Sequence, residues 1–250
     1  MVFPEVKEAK GMRMDKIKKN INNFCQGNWK TTMPPYNYVP CSETFPEDCT
    51  AGMKRYPDKW FDLAIVDPPY GINRSGQTES FTKNSKHKRK YFEKKTWDLA
   101  PPGKEYFAEL FRVSKNQIIW GANYFPQYLS PSMGWIFWDK GQNLTMSDGE
   151  LAYTSYKKAL RRIIINRNQL RTEGGTIHPT QKPILLYDFC FQYAKVKPGM
   201  KVLDTHLGSG SSRIAAYKNR LDFTGFETDR EYFEKQEHRF ENYIQQLTLF

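Results

Sequence analysis

The chain has 250 residues, 39% hydrophobic and 15% aromatic, and a formal net charge of +11. That balance suits one large α/β domain with embellishments and excludes a disordered or fibrous protein. It contains neither a run of about 18 apolar residues to span a membrane nor an apolar N-terminal signal stretch, and Cys25, Cys41, Cys49 and Cys190 form no CxxC or zinc spacing, which favours a reduced cytoplasmic protein without a bound metal.

Residues 1–36 are basic and mixed and read as an extension, with a short helix around 14–24. Met33-Pro34-Pro35-Tyr36 imitates a motif found further on but lacks an acid and has no apolar strand before it. Residues 63–66 are apolar and β-suited and lead into Asp67-Pro68-Pro69-Tyr70, where two prolines must end a buried ladder. Asp67 therefore falls at a strand's C-terminal end, where open α/β sheets bind ligands. Residues 72–97 read as a polar loop that carries much of the positive charge, including Arg74, Lys86, Lys88, Arg89 and Lys90. A helix over 106–113 and strands over 117–120, 134–138 and 151–156 follow. A second basic segment holds Lys157, Lys158, Arg161 and Arg162. Clustered positive charge is what a polyphosphate ligand requires, though two solvated loops account for it equally well. Pro183 opens a helix over 184–194. A strand at 201–203, a helix at 211–218, a strand at 223–226 and a long helix capped by Asp229 complete the order. Alternating strands and helices imply a parallel sheet covered on both faces.

Two strand ends carry the chemistry. An exocyclic amine on a flat ring is a poor nucleophile, so a site that alkylates it must accept both N–H bonds, fix the ring and align the reacting atoms. Asp67 offers a carboxylate, Pro68 a carbonyl on a stiffened turn, Pro69 the second ring that stiffens it, and Tyr70 a stacking surface. The second end, Asp204-Thr205-His206-Leu207-Gly208-Ser209-Gly210-Ser211, is a glycine turn leading into a helix, suited to close approach by a nucleoside cofactor. Arg213 stands where a dinucleotide GxGxxG pattern needs its third glycine, which weakens a nicotinamide reading. Glu227, ending the next strand, is placed to accept ribose hydroxyls.

These motifs together resemble the β-class DNA amino-methyltransferases. The tetrapeptide is similar to that family's catalytic motif, residues 203–211 to its cofactor loop, Gly225-Phe226-Glu227-Thr228-Asp229 to its ribose-binding segment, and His178-Pro179-Thr180-Gln181-Lys182-Pro183 to a hexapeptide of the class. The resemblance implies S-adenosylmethionine as cofactor, with Asp48 and Cys49 at its adenine and His178, Thr180 and Lys182 near its ribose and methionine. Asp67, Asp204, His206, Gly208, Ser209, Gly210, Ser211, Glu227 and Thr228 are expected around it too. Catalytic motif first and cofactor loop last implies an α/β, seven-stranded Rossmann-like methyltransferase sheet in circularly permuted order, spanning residues 37–250, with a small target-recognition region near 141–177. It implies a flipped-out adenine in double-stranded DNA as substrate, since cytosine-N4 enzymes more often carry Ser in place of Asp67. It allows for a homodimer and a partner restriction endonuclease. The rival expectations are a cytosine-N4 enzyme, an RNA or protein-amide acceptor, and an inactive DNA-binding relative. One departure stands out: His206 occupies a position usually held by Phe, as a flat ring that adds a titratable group.

Overall fold

The computed structural model describes residues 38–77, 90–141, 147–166 and 168–247. The helix expected around 14–24, and Lys86, Lys88 and Arg89, lie outside them. The chain runs through β1 (Ser42–Phe45), α1 (Cys49–Met53), β2 (Phe61–Val66), α2 (Lys104–Val113) and β3 (Ser114–Trp120), then two 3-10 turns, Ala122–Tyr124 and Pro126–Tyr128. It continues through β4 (Trp135–Asp139), β5 (Gly149–Thr154), β6 (Arg161–Ile164), α3 (Gln169–Thr172), α4 (Ile184–Ala194), β7 (Lys201–Asp204), α5 (Ser211–Lys218), β8 (Asp222–Phe226) and α6 (Arg230–Leu247).

The described strands form one sheet of eight in the order β1-β8-β7-β2-β3-β5-β4-β6. β5 is antiparallel to both its neighbours, and the other pairs are parallel. The sequence locates six of these strands, and the family resemblance implies seven. Of the two the sequence does not locate, β6 is an edge strand of mostly exposed residues with no apolar alternation to announce it. β1 and the short helices α1 and α3 were also not anticipated.

β2 lies mid-sheet, and its apolar run is explained by burial on both faces. Leu63 and Ile65 face a core with Trp120, Trp138 and, from α4 and α5, Leu186, Phe191 and Ala215. Ala64 and Val66 face a second core with Met53 of α1 and Phe107 and Leu110 of α2. Asp229 accepts the Tyr232 amide at 3.1 Å, the expected cap of α6. No helix among the described residues is long and apolar enough to cross a membrane.

Candidate active site

β2 and β7 are neighbours in the sheet, pairing Leu63 with Val202 and Ala64 with Leu203. Asp67 and the glycine turn after Asp204, distant in sequence, therefore open at the same edge of the sheet, with Glu227 at the end of β8 beside them. Together with Asp48, Cys49, His178, Thr180 and Lys182 they border one cavity of about 1160 Å³. Pro68, Pro69, Tyr70, His206, Gly208, Ser209 and Thr228 also line it.

A single buried carboxylate shapes the turn after β2. Asp98 Oδ1 accepts the amides of Tyr70 and Gly71, both at 2.8 Å, and Oδ2 accepts that of Arg74 at 2.6 Å. The prolines have no N–H to anchor, so this clamp supplies what the ladder cannot. Tyr70 donates its hydroxyl to Asp67 Oδ1 at 2.6 Å and stacks on Tyr124, ring centroids 4.9 Å apart. Gly121 packs against the Tyr70 ring so closely that a Cβ there would lie 2.0 Å from its Cε1, and its φ of +65° is one L side chains rarely adopt.

Lys182 enters from the segment before α4. Its Nζ lies 2.5 Å from Asp67 Oδ2, 3.0 Å from Glu150 Oε2 on β5 and 3.3 Å from the Tyr70 hydroxyl. Glu150 Oε1 in turn lies 3.0 Å from Lys140 Nζ. Burial opposes the Lys182 charge, but the carboxylates of Asp67 and Glu150 outweigh it and hold the ammonium above its ordinary range. Burial likewise opposes the Glu150 charge, yet Lys182 and Lys140 bring its carboxyl down to about 2. Neither Glu150 nor Asp98 was singled out from the sequence as a site residue.

In the glycine turn, Glu227 is held by two amides, Gly208 N to Oε2 at 2.8 Å and Asp229 N to Oε1 at 2.9 Å. Asp48 accepts the Ala51 amide at 2.9 Å and so caps α1. The neighbouring Cys49 thiol is pushed up to about 12 by burial and stays protonated. Three expected cofactor residues do not line the cavity. Asp204 is buried behind the turn, accepting from Ser212 Oγ at 2.5 Å and His206 N at 3.0 Å. Gly210 carries the left-handed backbone that starts α5, and Ser211 Oγ accepts from Arg239 at 2.9 Å. They support the turn from behind. His206 packs edge-on against Tyr106, and its Nδ1 pairs with Thr205 Oγ1 at 2.9 Å. Burial lowers its pKa to about 4, and that of His178 to about 3, so both rings are neutral at pH 7.

A family model described as DNA methylase, of the N6/N4 type, matches residues 81–238, more than half of the chain. The chain belongs to this DNA methylase family. Asp67 to Tyr70 lie upstream of the matched residues, so their place in the site comes from the geometry above. The fold is similar to that of M1.HpyAVI in its SAM complex, with a TM-score of 0.51 and 19% identity over 79% of this chain and 98% of that one. It is also similar to the cytosine-N4-specific PvuII DNA methyltransferase, at 0.52 and 12% identity over 84% and 94%. The putative DNA modification methylase TTHA0409 of Thermus thermophilus, complexed with S-adenosyl-L-methionine, matches at 0.52 and 14% over 81% and 94%.

The described basic residues of this DNA methylase's two charged segments take different places. Arg74 lines the cavity, and Lys90 donates to the Thr176 carbonyl at 3.1 Å. β5 is antiparallel to β3 and ends with Thr154 opposite Ile118, so Lys157 and Lys158, which follow it, lie toward the edge of the sheet away from Asp67, whereas Arg161 pairs with Ile136 and is level with Asp67 across the sheet. Lys158 Nζ is turned inward, donating to the Tyr193 carbonyl between the rings of Tyr156 and Tyr193. Arg162 pairs with Asp139. Lys157 and Lys158 thus stand apart from the cavity and Arg161 does not, while Lys86, Lys88 and Arg89 of the first segment lie outside the described residues. β5 and β6 fall within the region 141–177 expected for target recognition and join it to the sheet.

Proposed function

We propose that this DNA methylase transfers a methyl group from S-adenosylmethionine to N6 of an adenine flipped out of duplex DNA. The observation that carries the reading is the shared cavity: the Asp67 to Tyr70 turn and the Gly208 turn with Glu227 border the same space. Its volume exceeds the roughly 300–1,000 Å³ of a typical ligand site, leaving room for a cofactor and a base together.

The residues fit that cofactor. Each Glu227 oxygen takes one backbone amide and keeps a second acceptor position for a ribose hydroxyl. Gly208 and Ser209 bring backbone close, and Asp48 and Cys49 form the far wall for a flat ring. When bound, S-adenosylmethionine supplies an electrophilic methyl group. Asp67 then accepts one N–H of the target amine, the Pro68 carbonyl the other, and the Tyr70 ring supports the base. Once alkylated the nitrogen is acidic, so a weak base suffices, and Asp67 takes its proton. Adenine is favoured over cytosine because the tetrapeptide begins with Asp.

The test is tritiated S-adenosylmethionine with unmethylated duplex DNA, followed by nucleoside digestion. Label in N6-methyladenine is expected, whereas label in N4-methylcytosine would overturn the choice of base. Asp67→Ala is expected to abolish transfer while cofactor binding persists, and full activity in that variant would remove Asp67 from the mechanism.

A further inference from the structure

Lys182 is almost fully buried, its side chain 3% exposed, and its three donors are taken by Asp67, Glu150 and the Tyr70 hydroxyl. Asp67 meets a donor at each oxygen, Tyr70 at Oδ1 and Lys182 at Oδ2. Each oxygen keeps a second acceptor position, but the ammonium at 2.5 Å neutralises the carboxylate that an arriving amine must use. That ammonium cannot be left without a carboxylate, because an unpaired charge in such a place is strongly unfavourable. Glu150 lies on the other side of the same Nζ and is itself secured by Lys140 from the end of β4.

We propose that Glu150 is a positioning residue for methyl transfer: it shares the Lys182 ammonium with Asp67 and keeps it when the target amine takes its place on Asp67. The inference rests on the reading of Asp67 as the acceptor of that amine. Two carboxylates and two lysines leave the group neutral overall, so moving Lys182 toward Glu150 separates no charge from its partner. Without Glu150 the ammonium has Asp67 alone, and the carboxylate stays neutralised when the amine needs it. The sequence gives no hint of this. Glu150 is one of 27 acidic residues, brought to Lys182 by the pairing of β5 with β3 and β4.

The experiment compares Glu150→Gln, Glu150→Asp, Lys182→Met and the Glu150→Gln/Lys182→Met double variant with the parent. Single-turnover and steady-state methylation of duplex DNA are measured alongside S-adenosylmethionine binding by calorimetry, with Asp67→Asn as control. Glu150→Gln should lower kcat by about tenfold or more while KM for DNA and cofactor affinity change less than about threefold. Glu150→Asp should recover a large part of kcat. In the Lys182→Met background, Glu150→Gln should cost less than about twofold further, because its role runs through that lysine. An inactive Asp67→Asn with a fully active Glu150→Gln would overturn the inference. So would an equal loss from Glu150→Gln in both backgrounds, or loss of cofactor binding in both Glu150 variants, which would mark a purely structural role. An active Asp67→Asn would instead overturn the assignment of Asp67.

Discussion

His206 holds the position of a ring that the family usually supplies as Phe, and the structure uses it as one. Its edge faces Tyr106, and burial lowers its pKa to about 4 against about 6.5 for a free histidine. Between those two values the unfolded chain binds a proton that the folded chain refuses. Stability is therefore fully present above about pH 6.5 and falls as pH drops toward 4, by about 1.4 kcal/mol per unit for this ring. His206→Phe should keep the neutral-pH stability within about 1 kcal/mol and make the acid slope shallower by that amount. Urea titrations at pH 5 and pH 7 measure it, and an unchanged slope would mean that the imidazole titrates normally. The hydroxyl of Thr205 need not lose its partner in that variant, since it also pairs with Tyr106 at 2.7 Å.

At the scale of elements, the turn after β2 depends on groups from elsewhere in the chain. Asp98→Ala removes the acceptor of three part-buried amides, at about 1–3 kcal/mol for each that water cannot reach. It should lower thermal stability and also reduce kcat/KM, because Tyr70 loses its anchor. A variant that melts early but methylates normally would separate the clamp from the chemistry. Gly121→Ala meets the Tyr70 ring and a left-handed backbone together, so loss of both stability and turnover is expected. Much of this level was legible beforehand. The β2, β7 and β8 strands, the helices behind Pro183 and Gly210 and the Asp229 cap follow from apolar runs and punctuation by Pro, Gly and Asp. The strand β6 was not, because Arg161 and Arg162 give it no buried face to read. Asp98 and Glu150 were not either. A carboxylate shows its partners only once strands from different parts of the chain are laid side by side, and sequence spacing carries no trace of that.

For the molecule as a whole, charge and topology decide what each basic segment can reach. Arg74 and Lys94 line the cavity, whereas Lys157 is exposed at the opposite edge of the sheet. Arg74→Glu with Lys94→Glu should weaken duplex affinity by about tenfold or more and make its salt dependence shallower, while Lys157→Glu should change it by less than about twofold. Filter binding across a salt series checks both, and an equal effect of the two would place the duplex elsewhere. The segment from 90 to 97, whose Tyr91, Phe92, Lys94 and Trp97 line the cavity, is pinned by Lys95, which bridges Asp229 and Glu231, each at 2.7 Å. The pairing of β2 with β7 has a consequence in time. Leu63 finds Val202 only after the intervening chain has been made, and β1 waits longer still for β8, since Ser42 pairs with Phe223. Such distant pairings are slow to form because a long loop must close first. On the ribosome the tetrapeptide emerges early and waits, without its neighbouring strand, for most of the synthesis. The capacity to bind a nucleoside should therefore appear late and at once, so a chain halted before β7 would have the Asp67 turn without the glycine turn that completes the cavity.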